Sequence, residues 1–306
     1  MTPYVKGLLL TLAGVVLMSP DAVLIRLINV DAWALLIWRG GLMALAMLAL
    51  LAIAFRGNIR RGFRGFGLGG LIASFALCFG NIGFVTAMTE EKVALVLVVF
   101  ATVPLFGALI GWGGYGEKIP ARTWIAIPAA MAGLAVAAQA SLQTGVVFPL
   151  AMALCGTLML ATFLTILRHE PGVNNYAATA LGSAFAAIVA LGFADPGVIA
   201  GSSDKLAFTV LLCLFVLPAA MAFFSAGPRY ISSADVGLVL LLETVLGPLW
   251  VWLVIAEAPA LSTLFGGAIV IATLIAHSIA ALRAQRPQIS RPRTPDKAIR
   301  PAARPS

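Results

Sequence analysis

Apolar runs long enough to cross a bilayer follow one another almost without a break, and no other feature narrows the possible folds so sharply. Hydrocarbon about 30 Å thick takes roughly 20 residues of helix to span. Segments of that order fall at about 4–26, 33–55, 66–87, 93–115, 123–139, 147–167, 175–194, 206–228, 233–256 and 262–282, with short clusters of Gly, Pro or charge between them. Hydrophobic residues make up 61% of the 306 and charged residues 10%, more apolar surface than a soluble domain can bury. The expected fold class is therefore an all-α integral membrane protein with ten transmembrane helices. The first run carries a single basic residue, Lys6, is too long for the apolar core of a signal peptide and lacks a small-residue cleavage site, so it reads as a retained helix.

A net charge of +8 would suit a nucleic-acid binder, but the positions of the charges exclude that class. With the N-terminus in the cytoplasm, sixteen of the twenty basic residues fall in inside segments, among them Arg56, Arg60, Arg61, Arg64 and seven between Arg283 and Arg304. Only Arg26, Lys92 and Lys205 fall outside, and Arg39 lies within a span. Cytoplasmic loops collect Lys and Arg, so both termini are expected in the cytoplasm of a bacterial-type inner membrane, which agrees with an even number of spans. The Arg- and Pro-rich stretch 283–306 reads as a disordered, solvated tail. Cys78, Cys155 and Cys213 sit in three different spans with no metal-ligand or redox spacing, and read as packing residues.

The chain also resembles itself. FVTAMTEEKVALVLV at 84–98 aligns with FSAGPRYISSADVGL at 224–238, each a span, a short polar turn and a second span, at an offset of 140. The same offset brings Glu117 onto Glu257 and Thr123 onto Thr263. Two five-helix units, 1–140 and 141–282, account for this. Five is odd, so the second unit enters the membrane upside down, with Glu117 facing the cytoplasm and Glu257 the outside. Inverted repeats are the architecture of secondary transporters, whose substrate sits near the midplane between the halves.

Trp38–Arg39 at the start of the second span, PLFGALIGWGGYGEK at 104–118 and LLLETVLGPLWVWLVIAEAP at 240–259, set in this ten-helix layout, resemble the EamA-like branch of the drug/metabolite transporter superfamily from residue 5 to 282. The resemblance implies a ten-helix bundle around a central cavity and, most often, export of amino acids or other small metabolites; no cofactor is expected. Two positions depart from it: Ser19-Pro20-Asp21 stands where many members carry Trp-Gly, and Thr244 where a Pro commonly follows the Glu.

Asp21, Arg39 and Glu243 lie inside spans, with Asp235 near a cytoplasmic end. A charge at the bilayer centre costs about 2.5–3.5 kcal/mol on insertion scales, so such residues turn to the bundle interior and pair or titrate. Asp21 and Arg39 are each about six residues from the outer ends of adjacent antiparallel helices, within reach of one another. They form either a structural ion pair or a site that opens to take a substrate's carboxylate on Arg39 and its ammonium group on Asp21. Glu243 shares a helix face with Val236, Val239, Gly247 and Trp250. It either carries protons during coupled transport or stays neutral and ties its helix to neighbours; the second role is preferred because the resemblance includes this Glu whatever the substrate.

Asn81, in FGNIGF at 79–84, needs a partner inside the bundle. Trp38, Phe79, Phe100, Phe163 and Trp250 are the aromatic candidates for the cavity wall, Pro20, Pro104, Pro218 and Pro248 are expected to kink or interrupt their spans, and His277 reads as interfacial. The sequence contains no phosphate loop, no HExxH and no calcium loop, and no histidine within reach of Ser19, Ser74 or Ser225. An ATP-driven pump and an intramembrane enzyme are set aside, as is a channel, which would need repeated polar side chains along one helix face. The expected function is secondary transport of a small-molecule substrate, an amino acid or a relative, outward across the inner membrane. The alternative is proton-coupled export of drugs or amphiphiles. No metal is expected, and the oligomeric state stays open.

Overall fold

The computed structural model describes residues 3–118, 121–143, 147–226, 230 and 233–289, and among these the chain forms helices and connecting turns with no strand. In the first half, α1 (Pro3–Met18) and α2 (Asp21–Ile28) make one apolar stretch, followed by α3 (Ala32–Ala54), α4 (Gly67–Glu90), α5 (Val93–Phe100), α6 (Val103–Tyr115) and α7 (Ala121–Gln143). The second half holds α8 (Val147–His169), α9 (Asn175–Ala190), a short α10 (Gly197–Ala200), α11 (Ser203–Val210), a π turn over Leu211–Val216, α12 (Leu217–Ala226), α13 (Ser233–Ile255) and α14 (Leu261–Ile289). Among the described residues six stretches are long and apolar enough to cross a membrane: α1–α2, α3, α4, α5–α6, α8, and α11 through α12. Shorter apolar helices lie within α7, α9, α13 and α14.

Caps fix where several helices begin and end. The Asp31 carboxylate accepts from the Trp33 and Ala34 amides at 2.9 and 3.3 Å and starts α3, while Asn174 accepts from the Ala177 amide at 3.2 Å and starts α9. Asn29, left-handed at φ 44°, closes α2 and turns the chain into α3. Inside the bundle, hydroxyls satisfy themselves one turn back: Thr11 donates to the Gly7 carbonyl at 2.9 Å, Ser74 to Gly70 at 2.8 Å, Thr157 to Ala153 at 2.7 Å.

Three of the four prolines lie beside breaks or irregular turns in their spans. The first stretch breaks between α1 and α2 at Pro20, the fourth between α5 and α6 just before Pro104, and the π turn ends just before Pro218. Pro248 does not interrupt its span, because α13 stays helical from Ser233 to Ile255. A proline removes a single i to i−4 bond, which the turns on either side can bridge. At the other end α14 runs on to Ile289, past the boundary at 282 read from hydropathy. The rest of the basic tail, and the side chain of Asp235, lie outside the described residues.

The helices pack mainly between halves. α3 lies along α9, α4 along α8 and α9, α7 along α14, and α1 along α12 and α13. Small residues let the backbones approach: a Cβ on Gly83 of α4 would sit 2.5 Å from the Met152 carbonyl of α8, and one on Gly40 of α3 2.5 Å from the Ser183 carbonyl of α9. The main core runs through α2–α5 to α7, α9 and α14, and a second cluster around Leu77, Phe163 and Ile166 seals α4 against α8 and α9. Cys78 and Cys213 are buried and Cys155 half-buried, all three as free thiols.

Candidate substrate cavity

Between these layers lies a cavity of about 240 Å³ whose wall is almost wholly apolar. Its charged groups come from three places. The break at Pro20 makes Asp21 the first residue of α2, and Arg39 reaches it from α3. Arg39 Nη1 donates to Asp21 Oδ1 at 2.5 Å and Nη2 to Oδ2 at 2.8 Å, a two-pronged fork with both residues buried. The guanidinium also lies 5.8 Å from the centroid of the Phe84 ring. The third charge, Glu243, enters from α13 and is hydrogen-bonded to none of the described residues, although it lines the cavity. The tie to neighbouring helices that one of its two expected roles requires is therefore absent among the described residues. Trp250 makes that tie instead, its indole donating to Ser19 Oγ at 3.0 Å.

Of the nine residues singled out from the sequence, Asp21, Arg39, Asn81, Phe100 and Glu243 line the cavity. The other four stand elsewhere. α4 presents Leu77, Gly80, Asn81 and Phe84 to the cavity at the i, i+3, i+4, i+7 spacing of one helix face, so Phe79, one residue off that stripe, points outward and is 50% exposed. Phe84 takes the place given to Phe79, with its ring edge-on to Phe100 at 4.9 Å. Phe163 is packed in the second core cluster. The Trp38 indole donates to the Pro196 carbonyl at 2.9 Å, and Trp250 is 40% exposed. Gly247, expected to admit a helix or a ligand, meets Leu97 of α5. His277, read as interfacial, has its Nε2 2.8 Å from Thr123 Oγ1, which joins α14 to α7.

Two polar cavity residues went unremarked in the sequence. Ser183 lines the wall from α9, and its buried Oγ has no hydrogen-bond partner among the described residues. Thr179 lies one turn earlier on the same face. The only signal for them was a polar pair four residues apart in an otherwise apolar helix, and serines and threonines in such helices commonly bond their own backbone.

Chemically, the cavity can bury an apolar body while presenting one carboxyl group, one amide and three hydroxyls, from Thr179, Ser183 and Thr244, with a charge pair that already neutralises itself. Among the described residues no group of three or more His, Cys, Asp or Glu side chains is placed to hold a metal ion. Residues 5–139 match the EamA-like transporter family. With the apolar helices, that match supports a multi-pass membrane protein, and because the family is one of membrane transporters it points to small-molecule transport. The EamA-like match ends near the close of α7. Likeness in fold goes further: a solved structure described as "Crystal structure of protein" is 18% identical, with a TM-score of 0.61 over 92% of this chain and 98% of that one. No curated protein sequence matches the chain.

Proposed function

We propose that the chain is a secondary transporter with ten spans arranged as two inverted five-helix repeats, 1–140 and 141–282, followed by a cytoplasmic tail at 283–306. In this reading it exports an amino acid or a related amine-bearing metabolite across the inner membrane by alternating access. The observation that carries it is the cavity, placed between the halves and walled by apolar side chains with Asp21, Arg39 and Glu243 among them. At about 240 Å³ it lies just below the roughly 300–1,000 Å³ of drug-sized sites, which favours a small metabolite over a bulky amphiphile.

The packing supports the repeat. Under a two-fold exchange of halves, the α1–α12 contact corresponds to the α8–α4 contact, and the α3–α9 and α7–α14 pairs map onto themselves. Orientation follows from the basic residues: a thiol-reactive label applied to intact cells should miss cysteines placed at 62 and 287 and react with one at 200. A second reading, proton-coupled export of amphiphilic cations, is favoured by the carboxyl of Glu243 facing the cavity without a bond to any described residue. Proteoliposomes tested with amino acids, nucleotide sugars and lipophilic cations, with and without a pH gradient, separate the two. The leading reading falls if no amino acid crosses, and the second gains if cations cross only against a proton gradient.

A further inference from the structure

Outside the cavity, two acidic side chains occupy matching positions at opposite ends of the fold. Glu257 follows the end of α13, and Glu117 follows the end of α6. They are 140 residues apart, the offset of the internal repeat. Each reaches across to the basic end of the other half's first span. Glu257 Oε2 lies 3.3 Å from Arg26 Nε in the last turn of α2, and its Oε1 accepts from the Val93 amide at the start of α5 at 3.2 Å. Arg26 further donates to the Thr89 carbonyl at 3.2 Å and to the Glu91 carbonyl, so this contact gathers α2, the end of α4, the start of α5 and α13. On the other side, Glu117 Oε1 is 2.5 Å from Arg168 Nη2 and 2.8 Å from His169 Nε2, the last two residues of α8. Tyr115 stacks on the His169 ring at 4.2 Å.

We propose that these two clasps are the gates of the transport cycle, Arg26–Glu257 closing the outer mouth of the cavity and Glu117–Arg168/His169 the cytoplasmic mouth. The proposal rests on the ten-span inverted-repeat reading, which assigns the clasps to opposite faces. Both join the fourth span of one half to the first span of the other, so neither can open without the halves moving apart at that face. Both are made in this structure, with the cavity between them. Their chemistry suits a contact made and broken in each cycle: the side chains are partly open to water, 22% and 23% at the outer clasp and 62% and 29% for Arg168 and Glu117, and half-solvated ion pairs hold only weakly. The buried Arg39–Asp21 fork is a different kind of contact, its side chains only 10% and 7% exposed.

The test needs no knowledge of the substrate. In full-length protein with Cys78, Cys155 and Cys213 replaced by Ala, Asn81→Cys reports access to the cavity, read by a membrane-impermeant maleimide added to intact cells or to inside-out vesicles. A bifunctional thiol reagent bridging Arg26→Cys and Glu257→Cys should leave position 81 reactive from the cytoplasmic face only, and bridging Glu117→Cys and Arg168→Cys from the outer face only. Labelling from both faces whichever clasp is bridged would overturn the gates while leaving the transporter reading intact. No labelling from either face without any bridge would remove the cavity pathway, and the gates with it. Charge exchange guards against simple misfolding: Arg26→Glu alone should speed labelling from outside about fivefold, and adding Glu257→Arg should restore the original rate. A double variant as fast as the single would count against the clasp.

Discussion

Asp21 and Arg39 in one part of the cavity wall hold each other through two short hydrogen bonds, whereas Glu243 in another part holds nothing among the described residues. All three bear the insertion cost of a charge in an apolar span, yet the fold compensates only the first two. A charge whose bonds are all made within the protein can be scaffold alone. A carboxyl left facing a cavity is compensated only when a proton or a substrate arrives, so it is the better candidate for coupling. The contrast also shows what joins α13 to α1, namely the neutral Trp250–Ser19 bond.

The largest effect should come from breaking the fork. Arg39→Leu strands the Asp21 carboxylate and should cost about 3–5 kcal/mol, read as a fall in unfolding temperature in detergent. Replacing both residues by Leu should recover most of that loss if the pair is scaffold; recovered stability without recovered transport would instead place the pair in the substrate path. Next in size is Trp250→Phe, which removes one donor and should cost about 0.5–1.5 kcal/mol.

Glu243→Gln comes third for stability, with a change within roughly 0.5 kcal/mol, because no described partner is lost. Its effect on transport should be the sharpest of the series: substrate exchange continues, while the response to a pH gradient disappears, since an amide keeps the shape and cannot titrate. A Gln variant destabilised like the Trp250 variant would reveal a partner for Glu243 and collapse the contrast. The smallest effect is expected for Phe79→Ala, on the outward face of α4. Stability and transport should both stay near the parent, and a transport defect there would move the cavity wall to a different helix face.

Much of this was legible in the residues taken one stretch at a time. Hydropathy found apolar spans because the bilayer tests each span separately. Equal depth on consecutive antiparallel helices was enough to bring Asp21 and Arg39 together, since only a short turn separates those helices.

What tertiary structure alone decided was rotation and partnership. Choosing Phe84 over Phe79 for the cavity takes knowledge of how α4 is turned about its axis, and FGNIGF supplies an aromatic on either side of that choice. The partners of Glu257 lie 231 and 164 residues away, that of Trp250 231, and those of Glu117 51 or 52. Such contacts exist only once the two halves have closed on each other, and no local pattern encodes them. That Glu243 has no hydrogen-bond partner among the described residues belongs to the same class, because it depends on every helix that could have supplied one.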